Sequence, residues 1–220
     1  MDEEQLKAIA AQLRKPDGEF GKQLGVRMND GNRYINRDTI ASLTPSAGDN
    51  ILEIGMGNGF FVNEIISGDP SIRYTGCDFS EAMVVEATRL NEDLVKKGRA
   101  KFIHAAADNI PFAANAFNKV FTVNTLYFWE DPSRTLNEIR RLLTLHGQLI
   151  IAIRPRSSME QLPFVKYGFT MFSKEELIDL LSRNSFKVLN IGEKAEPEQE
   201  LNGEKISMKS LIVVAVKDEA

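Results

Sequence analysis

Gly55, Gly57 and Gly59 alternate within "ILEIGMGNGFF", residues 51–61, directly after an apolar run. Glycine accepts positive φ and leaves the main chain bare, so a ligand can lie against the backbone there. If a helix follows, its first free N–H groups favour an anionic or polar ligand group. Asp78 ends the apolar segment "IRYTGCD", 19 positions beyond Gly59. A carboxylate at a strand tip about 20 residues past a glycine loop is placed to accept hydrogen bonds from both hydroxyls of a ribose. Loop and acid together imply an adenosine-containing cofactor.

Two classes of protein share that logic. A dinucleotide site calls for G-x-G-x-x-G, whereas the spacing here is G-x-G-x-G and Phe60 stands where the dinucleotide pattern asks for a small residue. Glu53, just before the loop, would repel a diphosphate but suit an amino group or a sulfonium. An NAD(P)-dependent oxidoreductase remains the alternative, although no Tyr-x-x-x-Lys or similar hydride-transfer pair appears. A non-catalytic protein that keeps the cofactor site as a sensor is a third reading.

The elements that must hold these residues follow from periodicity. "NILEIG", "IRYTGCD", "KFIHAA", "KVFTVNTL" and "GQLIIAIR" read as strands, the last apolar enough to be buried on both faces. Between them, "NGFFVNEIISG", "SEAMVVEATRLNEDLVKKG" and "PSRTLNEIRRLL" read as helices. The alternation predicts an α/β fold, a doubly wound, mostly parallel seven-stranded sheet joined by right-handed crossovers. "SKEELIDLLSRN" opens on a capping box, Ser173 with Glu176. The last strands, "FKVLNIGEK" and "SLIVVAVKD", have only a polar connection between them, which predicts an antiparallel pair closing one edge. Residues 1–48 show no strand pattern and read as one or two helices packed as a lid on a domain spanning 49–220. Residues 154–172, "RPRSSMEQLPFVKYGFTMF", interrupt the rhythm as a substrate-side insertion.

At this point the chain resembles the class I S-adenosylmethionine-dependent methyltransferases, in their small-molecule, type 11 branch. "LEIGMGNG", "GCDFSEAMVVEA", "AADNIPFAANAFNKVFTVNTLYF" and "EIRRLLTLHGQLII" match the family's motifs in order across roughly residues 49–153. The lead segment "LRKPDGEFGKQLGVRMNDGN" is similar to that of a bacterial subgroup. The resemblance implies that Gly55, Gly57, Asn58 and Gly59 line the methionine and ribose of S-adenosyl-L-methionine, and that Glu53 holds the loop or meets the amino group. It implies that Asp78 chelates the ribose, with Phe79 and Met83 on the adenine. Asp108 would accept from the adenine amino group, while Asn109 and Ile110 offer main-chain contacts. The Asn124 carbonyl would meet the cofactor ammonium, and Thr125, Leu126 and Tyr127 would border the methyl. Catalytic members often carry an acid or His in the fourth-strand loop. Here "NTLYFWED" offers Tyr127, Trp129 and Glu130 instead, and Tyr127 and Trp129 are the candidates for catalysis or the acceptor wall.

Composition narrows the partners. The net charge of −4 carries no basic surplus of the kind that neutralises nucleic-acid phosphates. One cysteine, Cys77, excludes an internal disulfide and a thiolate cluster, and His104 and His146 suggest no metal site. His104 alternates with Phe102 as a structural residue, and His146 reads as surface. No apolar run of about 18 residues or signal-peptide core appears. The expectation is a cytoplasmic enzyme with no metal, acting on a small, partly apolar acceptor. Nucleic acid and membrane are not expected as partners, and the oligomeric state stays open.

Overall fold

The computed structural model describes residues 1–201 and 204–217. The chain opens with three helices, α1 (Glu3–Arg14), α2 (Gly18–Gly31) and α3 (Arg33–Leu43). Strand β1 (Asn50–Ile54) leads through the glycine turn to α4 (Val62–Ile66), β2 (Arg73–Asp78), α5 (Glu81–Leu90), α6 (Glu92–Lys96) and β3 (Ala100–His104). Then come β4 (Phe117–Val123), a 3-10 turn (Leu126–Phe128), α7 (Pro132–Leu142), β5 (Leu143–Ile153) and α8 (Arg156–Met159). The last part holds α9 (Lys174–Arg183), β6 (Phe186–Ala195), β7 (Gln199–Leu201), β8 (Glu204–Ile206) and β9 (Lys209–Lys217).

Seven strands form one sheet in the order β3-β2-β1-β4-β5-β9-β6. The first five run parallel. β9 is antiparallel to both β5 and β6, so the reversed strand lies one place in from its margin of the sheet. Alternation along the strands sorts side chains into two cores. Leu52, Val120, Leu149, Ile151 and Val213 face one side with Leu136 and Ile139 of α7 and Leu177 and Leu181 of α9. Ile51, Phe121, Ile150, Ile212 and Val214 face the other with Ile35 and Leu43 of α3 and Ile65 of α4. Burial on both faces is why the central strands read as continuous apolar runs.

Several details differ from the sequence reading. The amino-terminal region holds three helices rather than one or two. Of these, α3 belongs to the sheet: it packs on β4, β5 and β9. The helix expected over residues 80–98 breaks at Asn91, whose side-chain amide donates to Gly59 O and Ala87 O at 3.0 Å each. The polar connection after β6 contains a small antiparallel pair, β7 with β8. An Asn-Gly step between them is a hairpin signal in the sequence, and residues 202–203 lie outside the described residues. The Ser173 capping box forms as expected, with Ser173 Oγ accepting from Glu176 N–H at 3.2 Å.

Strand order reverses between β1 and β4, since β2 and β3 extend the sheet one way and β5 the other. Ligands of open parallel sheets bind beyond the carboxyl ends at such a point. The in-register pairs Ile54–Cys77, Asp78–His104 and Val123–Ala152 put the glycine turn, Asp78 and Asn124 on that one edge.

Candidate active site

A cavity of about 420 Å³ opens at this edge, between the sheet and helices α1 and α2. Its floor is the turn after β1. Gly55, Gly57 and Gly59 all have positive φ, but they do different work. A Cβ on Gly55 would stand 2.1 Å from Thr125 Cγ2, so this glycine lets the two turns pack together. A Cβ on Gly59 would meet Asn91 Nδ2 at 3.0 Å, Ala87 Cβ at 3.1 Å and Phe102 Cε1 at 3.2 Å, so it lets the turn close against α5 and β3. Only Gly57 looks onto open space, with nothing within 4 Å of its would-be Cβ.

Two buried carboxyls stand at this turn. Asp78 accepts from Gly57 N–H at 3.0 Å and from Ser80 N–H at 2.9 Å. Burial nevertheless pushes its pKa up to about 6, because those two hydrogen bonds and His104 only partly offset desolvation. Glu53 accepts from the Tyr74 hydroxyl. Burial, with the neighbouring Asp78 charge as a smaller cause, raises it to about 7. Both line the cavity, and no cationic side chain forms an ion pair with either among the described residues. Such a site is primed for a ligand that brings hydroxyl donors and positive charge. A ribose and an amino-bearing sulfonium fit that description.

The residues singled out in the sequence divide into two groups. Glu53, Gly55, Gly57, Asn58, Asp78, Phe79, Met83, Asp108, Asn124, Thr125, Tyr127 and Trp129 all line the cavity. Gly59, Asn109, Ile110 and Leu126 stand behind it. Ile110 is 1% exposed, its N–H donates to Glu138 Oε1 at 2.8 Å and its carbonyl accepts from Arg141 at 3.1 Å. Leu126 is fully buried in the core. Asn109 closes a tight turn by donating its N–H to Ala106 O at 3.1 Å. Asp108 lines the cavity but also pairs with Arg134 at 3.0 Å.

Tyr127 is committed structurally. Its hydroxyl accepts from Arg154 N–H at 2.6 Å and lies within donating reach of Arg154 O at 2.9 Å and Asn124 Oδ1 at 3.0 Å. Burial pushes the phenol well above its ordinary value, so it holds its proton at neutral pH. Beyond it the cavity is walled by Phe128, Trp129, Met159, Leu162, Phe164 and Phe169. The Phe128 and Phe169 rings meet edge to face at 4.6 Å.

The lining missed in the sequence comes from the amino-terminal helices: Gln12, Leu13, Arg14, Pro16, Leu24 and Gly25. An amphipathic helix that faces a cavity has the same periodicity as one that faces a core, so no pattern distinguishes them. Arg154 also lines the cavity, from the carboxyl end of β5. A charged residue ending an apolar strand on the ligand edge was a readable signal.

The comparisons agree with this geometry. A family model described as a methyltransferase domain matches residues 52–151. Uncharacterized methyltransferase YdaC of Bacillus subtilis is 31% identical over 134 residues, spanning 61% of this chain and 72% of that protein. A demethylmenaquinone methyltransferase of Clavibacter sepedonicus is 28% identical over 167 residues, covering 74% of this chain and 65% of its own length. Among solved structures, a complex of a Haloferax volcanii methyltransferase with the Trm112 methyltransferase activator superposes at a TM-score of 0.79. It is 18% identical, covers 89% of this chain and 93% of that one, and speaks to the fold alone. The fold is the class I, Rossmann-like one of the methyltransferases it resembles. This chain belongs to the S-adenosylmethionine-dependent methyltransferase family.

Proposed function

We propose that the cleft binds S-adenosyl-L-methionine and that the enzyme methylates a small, uncharged, largely apolar acceptor. The observation that carries the first part is the pair of buried carboxyls beside the open face of Gly57. In this reading Asp78 accepts from the ribose hydroxyls, Phe79 and Met83 flank the adenine, and Asp108 takes its amino group. Gly55, Gly57 and Asn58 lie along the methionyl part. Glu53 and the Asn124 carbonyl face the ammonium, and Thr125 borders the reacting end. Gly59, Asn109, Ile110 and Leu126 support these residues from behind.

When bound, this cofactor supplies a methyl group already activated by the sulfonium charge. The chain's task is then alignment and exclusion of water. Holding acceptor and donor in line contributes about 7–11 kcal/mol to such a reaction. Helices α1 and α2 act as the lid that closes the cavity. Pro16 O accepts from Ser80 Oγ at 2.5 Å, Lys15 sits over the Phe79 ring at 5.6 Å, and Arg14 pairs with Glu130 at 2.7 Å. With Tyr127 holding its proton, the site serves an acceptor that attacks without first losing a proton to the protein.

The apolar wall supports the acceptor class. Charged side chains near it are paired, Arg154 with Glu196 at 2.8 Å and Arg14 with Glu130. A relative that acts on demethylmenaquinone points the same way. The test is a panel of neutral aromatic and aliphatic alcohols, amines and thiols, alongside charged counterparts, with S-adenosylhomocysteine release as the signal. Turnover confined to the neutral apolar members is expected. Turnover confined to charged acceptors would contradict the acceptor reading, and binding of NAD in place of S-adenosylmethionine would contradict the cofactor reading.

A further inference from the structure

Asn124 follows β4 with a left-handed backbone, φ 55°, a conformation asparagine adopts more readily than other residues with a side chain. Its side-chain amide is tied to neighbours far along the chain. Nδ2 of Asn124 donates to Asn32 Oδ1 at 3.2 Å, and its Oδ1 faces the Tyr127 hydroxyl at 3.0 Å. Asn32 Oδ1 also accepts from Arg154 Nη1 at 3.1 Å, 122 residues away in sequence. The Arg154 guanidinium is anchored by Glu196 through two hydrogen bonds, at 2.9 and 2.8 Å, and its main chain holds the Tyr127 hydroxyl. The hydrogen bonds therefore close a ring, from Asn124 through Asn32 and Arg154 to Tyr127 and back.

Asn32 occupies a particular place in that ring. It is the residue between α2 and α3, and thus joins the helix that covers the cleft to the helix packed on the sheet. Gly31 O, beside it, accepts from Arg154 Nη2 at 2.6 Å, so this joint is fixed to the β5 edge on both sides. Asn32, Asn124 and Arg154 all line the cavity.

We propose that Asn32 is a positioning residue: its side-chain carbonyl ties the lid joint to the turn that presents Asn124, so seating of the lid and the shape of the cofactor site are set together. The inference rests on the reading that the cleft takes S-adenosylmethionine. Its chemistry is specific, because only the acceptor oxygen of Asn32 takes part. Aspartate supplies the same oxygen at the same reach and stays attractive to Arg154, whereas alanine supplies none.

The experiment is calorimetry with S-adenosylhomocysteine on the wild type, Asn32→Ala and Asn32→Asp, paired with amide hydrogen exchange over residues 1–31. Asn32→Ala is expected to bind roughly tenfold or more weakly, and ligand should protect its lid helices less. Asn32→Asp should bind within about threefold of wild type, whereas Asn32→Leu, measured alongside, keeps the side-chain volume without the acceptor oxygen and should be as weak as Asn32→Ala, which a general packing role would not give. Should Asn32→Ala fail to fold, Asn124→Gly removes the same hydrogen bond while keeping the left-handed turn, and the same weakening is expected. Binding by Asn32→Ala or Asn124→Gly as tight as wild type overturns this inference alone, as does an Asn32→Asp variant that is folded and as weak as Asn32→Ala. A wild type that ignores the ligand overturns the cofactor reading with it.

Discussion

At the scale of single residues, the three glycines separate two jobs that one motif conceals. Gly59→Ala would press a methyl into Asn91, Ala87 and Phe102 at a positive φ. A loss of about 1–3 kcal/mol in denaturant unfolding is expected, as for an overpacked core. Gly57→Ala meets no protein atom. Its stability should fall by only about 1–2 kcal/mol, from the left-handed backbone, while its cofactor affinity falls further because the methyl stands in the cleft. Calorimetry and urea melts of the two variants together distinguish packing from binding. The spacing of the glycines was legible in the sequence, but the division of labour was not, since it depends on what the fold brings against each one. Glu53 gives a pH signature. Its folded pKa, raised to about 7, exceeds the ordinary carboxylate value, so between the two the folded chain holds a proton the unfolded chain has released. That contribution to stability is greatest below the ordinary value and is lost as pH rises through about 7. Glu53→Gln should therefore melt higher than wild type at pH 7.5 without cofactor, with a flatter pH profile. Cofactor affinity of the wild type should rise between pH 5.5 and 7, as Asp78 and then Glu53 ionise, with protons released on binding.

At the scale of elements, the large strands and most helices were readable because each carries its own pattern: an apolar run, a capping box, or proline after Asp131 at a helix start. What failed to show were boundaries decided by partners far along the chain. Asn91 ends α5 because Gly59 O is there to bond, and the joint at Asn32 is pinned by Arg154. The proposed lid contains Arg14, which pairs with the exposed Glu130. Solvent-exposed pairs contribute about 0–1 kcal/mol, so Arg14→Ala should leave the melting temperature almost unchanged. The Ser80–Pro16 contact is held closer to the site. Trp129 is the chain's one tryptophan and lines the cavity. Its emission should therefore change on titration with S-adenosylhomocysteine, and change again when an apolar acceptor enters the filled site. Unaltered emission across a titration that saturates by calorimetry would place the cofactor away from this wall.

For the whole molecule, the sheet order concentrates function at one edge. The reversal between β1 and β4 gathers the glycine turn, Asp78 and Asn124, and the amino-terminal helices roof them over. Among the described residues, no helix is long and apolar enough to cross a membrane, and no cluster of His, Cys, Asp and Glu forms a metal site. The acceptor was the least legible part of the molecule. The sequence marked residues 154–172 and the pair Tyr127 and Trp129 as the substrate side, and Trp129, Met159, Leu162, Phe164 and Phe169 do line the cavity. What it did not show was the share of α1, because a helix face turned to a cavity has the same periodicity as one turned to a core.

The measurement that bears most directly on this account is the affinity of Asp78→Ala for S-adenosylhomocysteine, taken by calorimetry beside the wild type with melting temperatures as a control on folding. The account predicts saturable binding by the wild type and a roughly 10- to 100-fold loss in the variant, the equivalent of about 1–3 kcal/mol for a buried charged hydrogen bond. Equal affinity in the two folded proteins, or a wild type that does not bind, would contradict it.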